Sequence, residues 1–399
     1  MPHSSTIAAS VIALIVGGMP SVSCAADTMQ RVPGASWEHA APATQGFSTR
    51  GLARAIAFAK KSGSTSGVVI HDGLIVAEWG DISSKTNLHS VRKSFASALV
   101  GVAVAQGQFR LDDTLEQLSI DDEPPALSAD EKQATIRMLL EARSGVYHPA
   151  AYETDGMLSE KPERHSHLPG TFWYYNNWDF NAIGAVLQQA SHEAFFDALK
   201  TKIADPIGMQ DYAPADGHYV SGMPATRYPA YPFVMSARDL ARFALLYLHG
   251  GLWGTREVVP SAWVAESTRP YSDNKGGGYG YLWWTNVPAT TNAPALEPPV
   301  YWAEGHLGQF AFVVPSLNMI VVSLHDPRLS DRPMHKSAMM RLLQMVEAAQ
   351  RTVDHSPEAA DQAATPPQDG GCTSGGGLGR ERRVKRVAYD DTRPAPAGR

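Results

Sequence analysis

Ser90 and Lys93 lie three positions apart in His89-Ser90-Val91-Arg92-Lys93-Ser94-Phe95. In a helix that spacing puts both side chains on one face. A serine hydroxyl attacks poorly until a neighbouring base takes its proton, and a lysine whose pKa is lowered by burial is such a base. At the first turn of a helix, free backbone N–H groups and the helix dipole also favour developing negative charge. Taken alone, Ser-x-x-Lys is common on helix surfaces, and Ser90 is equally suited to capping the helix. Ser94 has no lysine at the same offset. Arg92 is expected off the Ser–Lys face, solvated or paired.

Two further segments carry groups that can serve such a pair. Gly170-Thr171-Phe172-Trp173-Tyr174-Tyr175-Asn176-Asn177 leads into an apolar helical pattern with Phe180, Ile183, Gly184 and Leu187. A Tyr-x-Asn at a loop-to-helix junction can relay a proton through its phenol and orient a lysine or substrate through its amide. Two registers fit, Tyr174/Asn176 and Tyr175/Asn177; the spacing to Ile183-Gly184 favours the second. Glu304-Gly305-His306-Leu307-Gly308-Gln309 precedes a β-rich run. Glycines there let a substrate lie against the backbone, and the main-chain N–H of Gln309 is a candidate to complete an oxyanion hole with that of Ser90. Each segment alone has an ordinary reading, a turn with aromatic packing or a surface histidine.

The elements that must position these groups fall into three blocks. Phe47 to Lys61 has helical apolar spacing. Val68 to Ile70 and Leu74 to Trp79 read as strands joined by an Asp72-Gly73 hairpin turn. From Ser90 the chain reads as mostly helical through SARDLARFALLYLHGG. GYGYLWWT, FAFVVP and MIVVSLH return to strand, and Asp331 to Gln350 closes as a helix. Strands at both ends with helices between give an α+β fold: an antiparallel sheet built from both ends of the ordered chain, a helical lobe at roughly 85–270, and a cleft between them.

Composition bounds the rest. The 399 residues are 44% hydrophobic and 19% charged, ordinary for a globular chain. A net charge of -6 argues against nucleic acid as the main partner. Two cysteines exclude a disulfide scaffold and a cysteine-rich zinc module. The apolar run Ile7 to Gly18, followed by Cys24-Ala25-Ala26, reads as a signal peptide over 1–26, hence export to the periplasm or beyond. Membrane association is expected only if that segment is retained or Cys24 carries a lipid. A 27–352 domain is followed by a 353–399 tail rich in Pro, Gly, Ala and charge, read as disordered.

Together, Ser-x-x-Lys, Tyr-x-Asn and His-x-Gly in this order resemble the serine β-lactamase and penicillin-binding-protein superfamily. The LLEARSG segment, NAIGAVLQQ after Tyr175 and GYGYLWW strengthen the likeness, which covers roughly Phe47 to Gln350. The branch implied is the class C-like one of esterases, 6-aminohexanoate dimer hydrolases and D-aminopeptidase-like proteins, some of which carry His-x-Gly in place of Lys-Thr-Gly. The resemblance implies Ser90 as nucleophile, Lys93 as its base, Tyr175 as proton relay and Asn177 as positioning amide. It puts His306 and Gly308 on the strand lining the acyl pocket. It implies hydrolysis of a small ester, amide or β-lactam-like substrate through an acyl-enzyme, with no metal or cofactor. His306 in place of a lysine weakens the case for a β-lactam or D-Ala-D-Ala substrate. A β-lactamase, a D-amino-acid peptidase or a penicillin-recognition protein with little turnover remain the alternatives.

Other residues are read more plainly. Trp173, Trp178, Trp283, Trp284, Tyr301 and Trp302 pack the core and lobe interface, or wall an acyl chain. His165 and His167 sit in a polar loop rather than a metal site. The polar stretch Tyr147 to Leu168 is a lid or an insertion, and Asp121-Asp122-Glu123 a solvated loop.

Overall fold

A computed structural model describes residues 30–223, 225–274, 277–287 and 300–351. The expected signal segment and C-terminal tail lie outside the described residues. Before the lobe come α1 (Thr49–Lys61), β1 (Ser66–His71) and β2 (Leu74–Trp79). The lobe holds β3 (Lys85–Asn87), α2 (Arg92–Ala105), α3 (Ile136–Leu140), α4 (Asp155–Glu160), α5 (Asn177–Ser191), α6 (Phe195–Leu199), β4 (Val234–Ser236) and α7 (Ala237–Leu248). It ends with the short pair β5 (Leu252–Trp253) and β6 (Arg256–Glu257), then α8 (Ser261–Ser267). The chain then returns through β7 (Ser272–Asn274), β8 (Gly277–Tyr279), β9 (Trp284–Thr285), β10 (Tyr301–Gly305), β11 (Gln309–Val314), β12 (Met319–Leu324) and α9 (Lys336–Arg351).

Eight strands form one antiparallel sheet in the order β2-β1-β12-β11-β10-β9-β8-β7. Asp72 and Gly73 both have positive φ, 49° and 73°, as a primed two-residue hairpin turn requires. Strand side chains alternate between faces. Val69, Val76, Phe312 and Val321 pack with Leu52, Leu342 and Val346 of α1 and α9. Val68, Ile70, Ile320 and Val322 face the lobe with Phe95 of α2 and Leu240 and Phe243 of α7. Burial on both sides explains why β11 and β12 read as continuous apolar runs.

Helix ends follow local chemistry. Ser48, Asn176 and Ser236 each accept a backbone N–H at the starts of α1, α5 and α7. Three expectations need correction. Ser90 precedes the helix proper, in a 3-10 turn, His89–Val91. α9 begins only at Lys336, and Pro333, which disfavours helical geometry at Arg332, keeps the helix from reaching back to Asp331. Asp122 is buried rather than solvated: it accepts Trp178 Nε1 and Thr226 Oγ1 at 2.7 Å each and the Arg227 N–H at 2.7 Å. It ties the lobe's connections to α5. Among the described residues no helix is long and apolar enough to cross a membrane.

Candidate active site

The turn that carries Ser90 is held from both sides. β3 pairs with β4, and Asn87 at its end accepts the His89 N–H through Oδ1 at 2.8 Å. His89 has a φ of 47°, a left-handed conformation costing on the order of 1 kcal/mol for a residue with a β-carbon. Its Nδ1 lies 3.1 Å from the Tyr152 hydroxyl, which also accepts from Asn87 Nδ2 at 3.2 Å. The strained residue therefore immediately precedes Ser90 and is clamped by its neighbours.

Lys93, in the first turn of α2, is almost wholly buried. Its Nζ is hydrogen-bonded to Ser90 Oγ at 2.6 Å and to Tyr175 OH at 2.9 Å. Tyr175 arrives from the loop before α5. Tyr174 turns away and donates its hydroxyl to the Met157 carbonyl at 2.7 Å. Of the two registers, then, it is Tyr175 that meets the Ser–Lys pair. Asn176 is consumed as the α5 cap, donating through Nδ2 to the Val146 carbonyl and Asp179. Asn177 is buried; its Nδ2 donates to the Tyr152 carbonyl at 2.5 Å, and its Oδ1 has no hydrogen-bond partner among the described residues.

The third segment is arranged differently from the expectation. His306, Leu307 and Gly308 form the turn between β10 and β11, not part of a strand, and His306 is exposed. Leu307 and Gly308 both have positive φ, 61° and 84°, which turns the hairpin at that point. Gly308 faces away: a Cβ there would meet the Met334 carbonyl oxygen at 2.7 Å. Gln309 pairs with Gly305 in the ladder, and its amide bridges His325, donating to its carbonyl at 2.8 Å and accepting its N–H at 3.1 Å. The backbone that lies against the Ser90 turn is that of Gly305, where a Cβ would sit 2.2 Å from the Leu88 carbonyl oxygen. The His89 and His306 rings meet edge to face at 5.6 Å. Sequence reasoning gave no role to His89 and Tyr152, and took Gly305 only as one of the glycines at the strand edge.

Burial, then the positive charge of Arg92, hold the Lys93 amine well below its ordinary pKa. The π faces of Tyr175 and Phe180, 4.5 and 4.8 Å from Nζ, act the other way. Such contacts are worth about 0.5–2 kcal/mol. Burial without a carboxylate partner is the larger effect, and it favours the neutral amine. Burial raises the Tyr175 phenol, so it stays protonated and able to donate. Burial, followed by the nearby His306, Arg92 and Lys93, lowers His89 to about 3.

Beside Tyr175 opens a cleft of about 790 Å³ walled by Trp173, Trp284, Phe172 and Met157. Tyr175 stacks on Trp284 at 5.3 Å. The Tyr147 to Leu168 stretch supplies one wall of the cleft through α4. The aromatic set thus divides: Trp173 and Trp284 line the cleft, whereas Trp178, Trp283, Tyr301 and Trp302 are core. His167 stacks on Phe172 at 4.0 Å, and His165 lies 3.8 Å from Glu131.

Sheet, helical lobe and a Ser–Lys–Tyr cluster at their junction define the class of β-lactamase-related hydrolases. The Beta-lactamase family model matches residues 27–343, and the chain belongs to that family. Solved structures with a similar fold include a protein described as a 6-aminohexanoate-dimer hydrolase from Bacillus anthracis, with a TM-score of 0.59 and 16% identity over 81% of this chain and 90% of that one. The octameric penicillin-binding protein homologue from Pyrococcus abyssi has a TM-score of 0.56 and 17% identity, covering 75% and 77% of the two chains. A penicillin-binding protein homologue from Caulobacter crescentus has 0.54 and 15%, covering 76% and 99%. No curated protein matches the chain.

Proposed function

We propose that the protein is a serine hydrolase that cleaves a small ester or amide through an acyl-enzyme on Ser90. The observation that carries this reading is the contact of Lys93 Nζ with both Ser90 Oγ and Tyr175 OH in a buried setting. Lys93 takes the Ser90 proton as Oγ attacks the carbonyl carbon, and the carbonyl π electrons move onto oxygen. The backbone N–H of Ser90 and the main chain at Gly305–His306, rather than Gln309, are the groups set to receive that oxyanion. Collapse expels the leaving group, which takes the proton from Tyr175 as the phenol recovers one from Lys93. Water then attacks the acyl carbon, releasing the acid and restoring Ser90. Asn177 orients the Tyr152 loop at the site, and the aromatic cleft accommodates the acyl or alkyl portion.

An exposed histidine where a fixed cation would hold a carboxylate favours neutral esters and amides over β-lactams. Turnover of a short-chain p-nitrophenyl ester beside a chromogenic cephalosporin, with Ser90→Ala as blank, tests this. Ester turnover that vanishes in Ser90→Ala supports the reading. Fast cephalosporin turnover makes the protein a β-lactamase, and full activity in Ser90→Ala removes Ser90 as nucleophile. Export through residues 1–26 belongs to the same proposal, and the mass of the mature N-terminus tests it.

A further inference from the structure

Arg92 was expected at the surface or in an ion pair, and it is neither. It is fully buried. Its Nη1 donates to the His89 carbonyl at 3.3 Å and its Nη2 to Asn181 Oδ1 at 3.4 Å. The guanidinium lies over Tyr231 and Tyr152, 5.1 and 5.5 Å from the ring centroids, and Nε has no acceptor. Among the described residues no carboxylate pairs with it.

An arginine keeps its proton in proteins, so a permanent positive charge is fixed beside Lys93. A buried charge without a counter-ion is poor design for stability; an apolar side chain of similar volume serves packing at least as well. The two hydrogen bonds are at the long end of the range and do not by themselves account for burying a charge. The feature that sets this residue apart is its charge, next to a lysine that must be neutral to act as a base. We propose that Arg92 is a positioning residue for the reaction: its fixed charge favours the unprotonated amine of Lys93, while its bond to His89 tethers the turn that carries Ser90. The proposal rests on the reading of Lys93 as base.

The other groups around Lys93 do not supply this charge. Ser90 and Tyr175 are neutral partners. Phe180 of α5 offers only a ring face. His89 is held neutral by its surroundings. Glu304 of β10 acts on Tyr175 and is engaged by Trp302 Nε1 at 2.9 Å. His306 faces His89 from the hairpin turn.

The test reads the rate at which a fluorophosphonate labels Ser90 as a function of pH, which needs no knowledge of the substrate. In the wild type the rate rises with pH as Lys93 loses its proton. Arg92→Gln keeps hydrogen-bond donors and removes the charge; Asn181→Asp leaves Arg92 in place and gives it a counter-ion. Both should move the rising limb up by about one pH unit or more, as expected for removing a neighbouring charge. Labelling below the limb then slows by about tenfold or more. Arg92→Lys, which keeps the charge, should leave the limb in place. A limb unmoved in either charge-altering variant overturns the proposal, including the case where only the plateau falls, the mark of a merely structural role. If Arg92→Gln fails to fold, Asn181→Asp alone decides. Lys93→Ala separates the two levels: labelling as fast as wild type defeats the base reading itself, whereas a silent Lys93→Ala with unmoved limbs defeats only Arg92.

Discussion

Gly305→Ala is the sharpest probe of how the sheet positions the nucleophile. A Cβ on residue 305 would lie 2.2 Å from the Leu88 carbonyl oxygen. Carbon–oxygen contacts of this kind normally sit at about 3.3 Å or more, so the strand and the Ser90 turn must part by about 1 Å. The opposing atom is backbone, and the same carbonyl accepts the Val91 N–H at 3.1 Å within the turn. The strain therefore falls on the segment that aims Ser90 Oγ. A misplacement of about 1 Å at a reacting group costs on the order of 10²-fold in rate, equivalent to about 2.7 kcal/mol of transition-state stabilisation. The assay is ester kcat/KM together with the fluorophosphonate labelling rate, on protein whose thermal midpoint is measured in parallel. Gly308→Ala is the control: it strains a residue at a φ of 84° and drives its Cβ to 2.7 Å from the Met334 backbone, away from the Ser90 turn, so it should cost stability, about 1–3 kcal/mol, and spare labelling. Unchanged kcat/KM and labelling in a folded Gly305→Ala would refute the idea that β10 buttresses the Ser90 turn.

Tyr175→Phe should lower kcat by about 10²–10⁴-fold as a lost proton relay, while Tyr174→Phe spares it; the opposite ranking in steady-state assays would reverse the register. Asp122→Ala leaves the Trp178, Thr226 and Arg227 donors without their acceptor, which should cost about 3 kcal/mol or more in a denaturant titration. His89 has a folded pKa near 3, below its unfolded value, so its contribution to stability is present above the unfolded pKa and is lost as pH falls from about 6.5 toward 3. His89→Asn, which also tolerates left-handed backbone, should flatten the fall of the thermal midpoint over that interval; an unchanged slope would place the acid sensitivity elsewhere.

The parts of the fold legible in sequence are those set by local pattern. Asp72-Gly73 announces its hairpin because a primed turn demands those conformations, and α1 and α7 show their apolar faces to any periodicity count. The Ser90, Lys93 and Tyr175 types carry their chemistry on their faces. What was hidden depends on distant partners. Asp122 looks solvated until Trp178 and Thr226 close over it. Arg92 is buried only because Tyr152 and Tyr231 arrive from separate loops. The third segment misled for a geometric reason: His306 is the conspicuous residue, yet the hairpin turns there, and the residue of close approach is the featureless Gly305 before it.

The place of β1 between β2 and β12 in the sheet has a consequence for how the molecule is made. One edge of β1 pairs at once with β2 across the hairpin, but the other waits for β12, with Val68 opposite Val322. While the ribosome is still producing the lobe, that edge and its valines have no native neighbour. Pairing of such sequence separation makes folding slow, because loop-closure entropy is spent before the contact is gained. An open apolar edge during that delay invites association between nascent chains. The maturing protein is thus most vulnerable before its last strand emerges, and completion of β12 is the event that seals it.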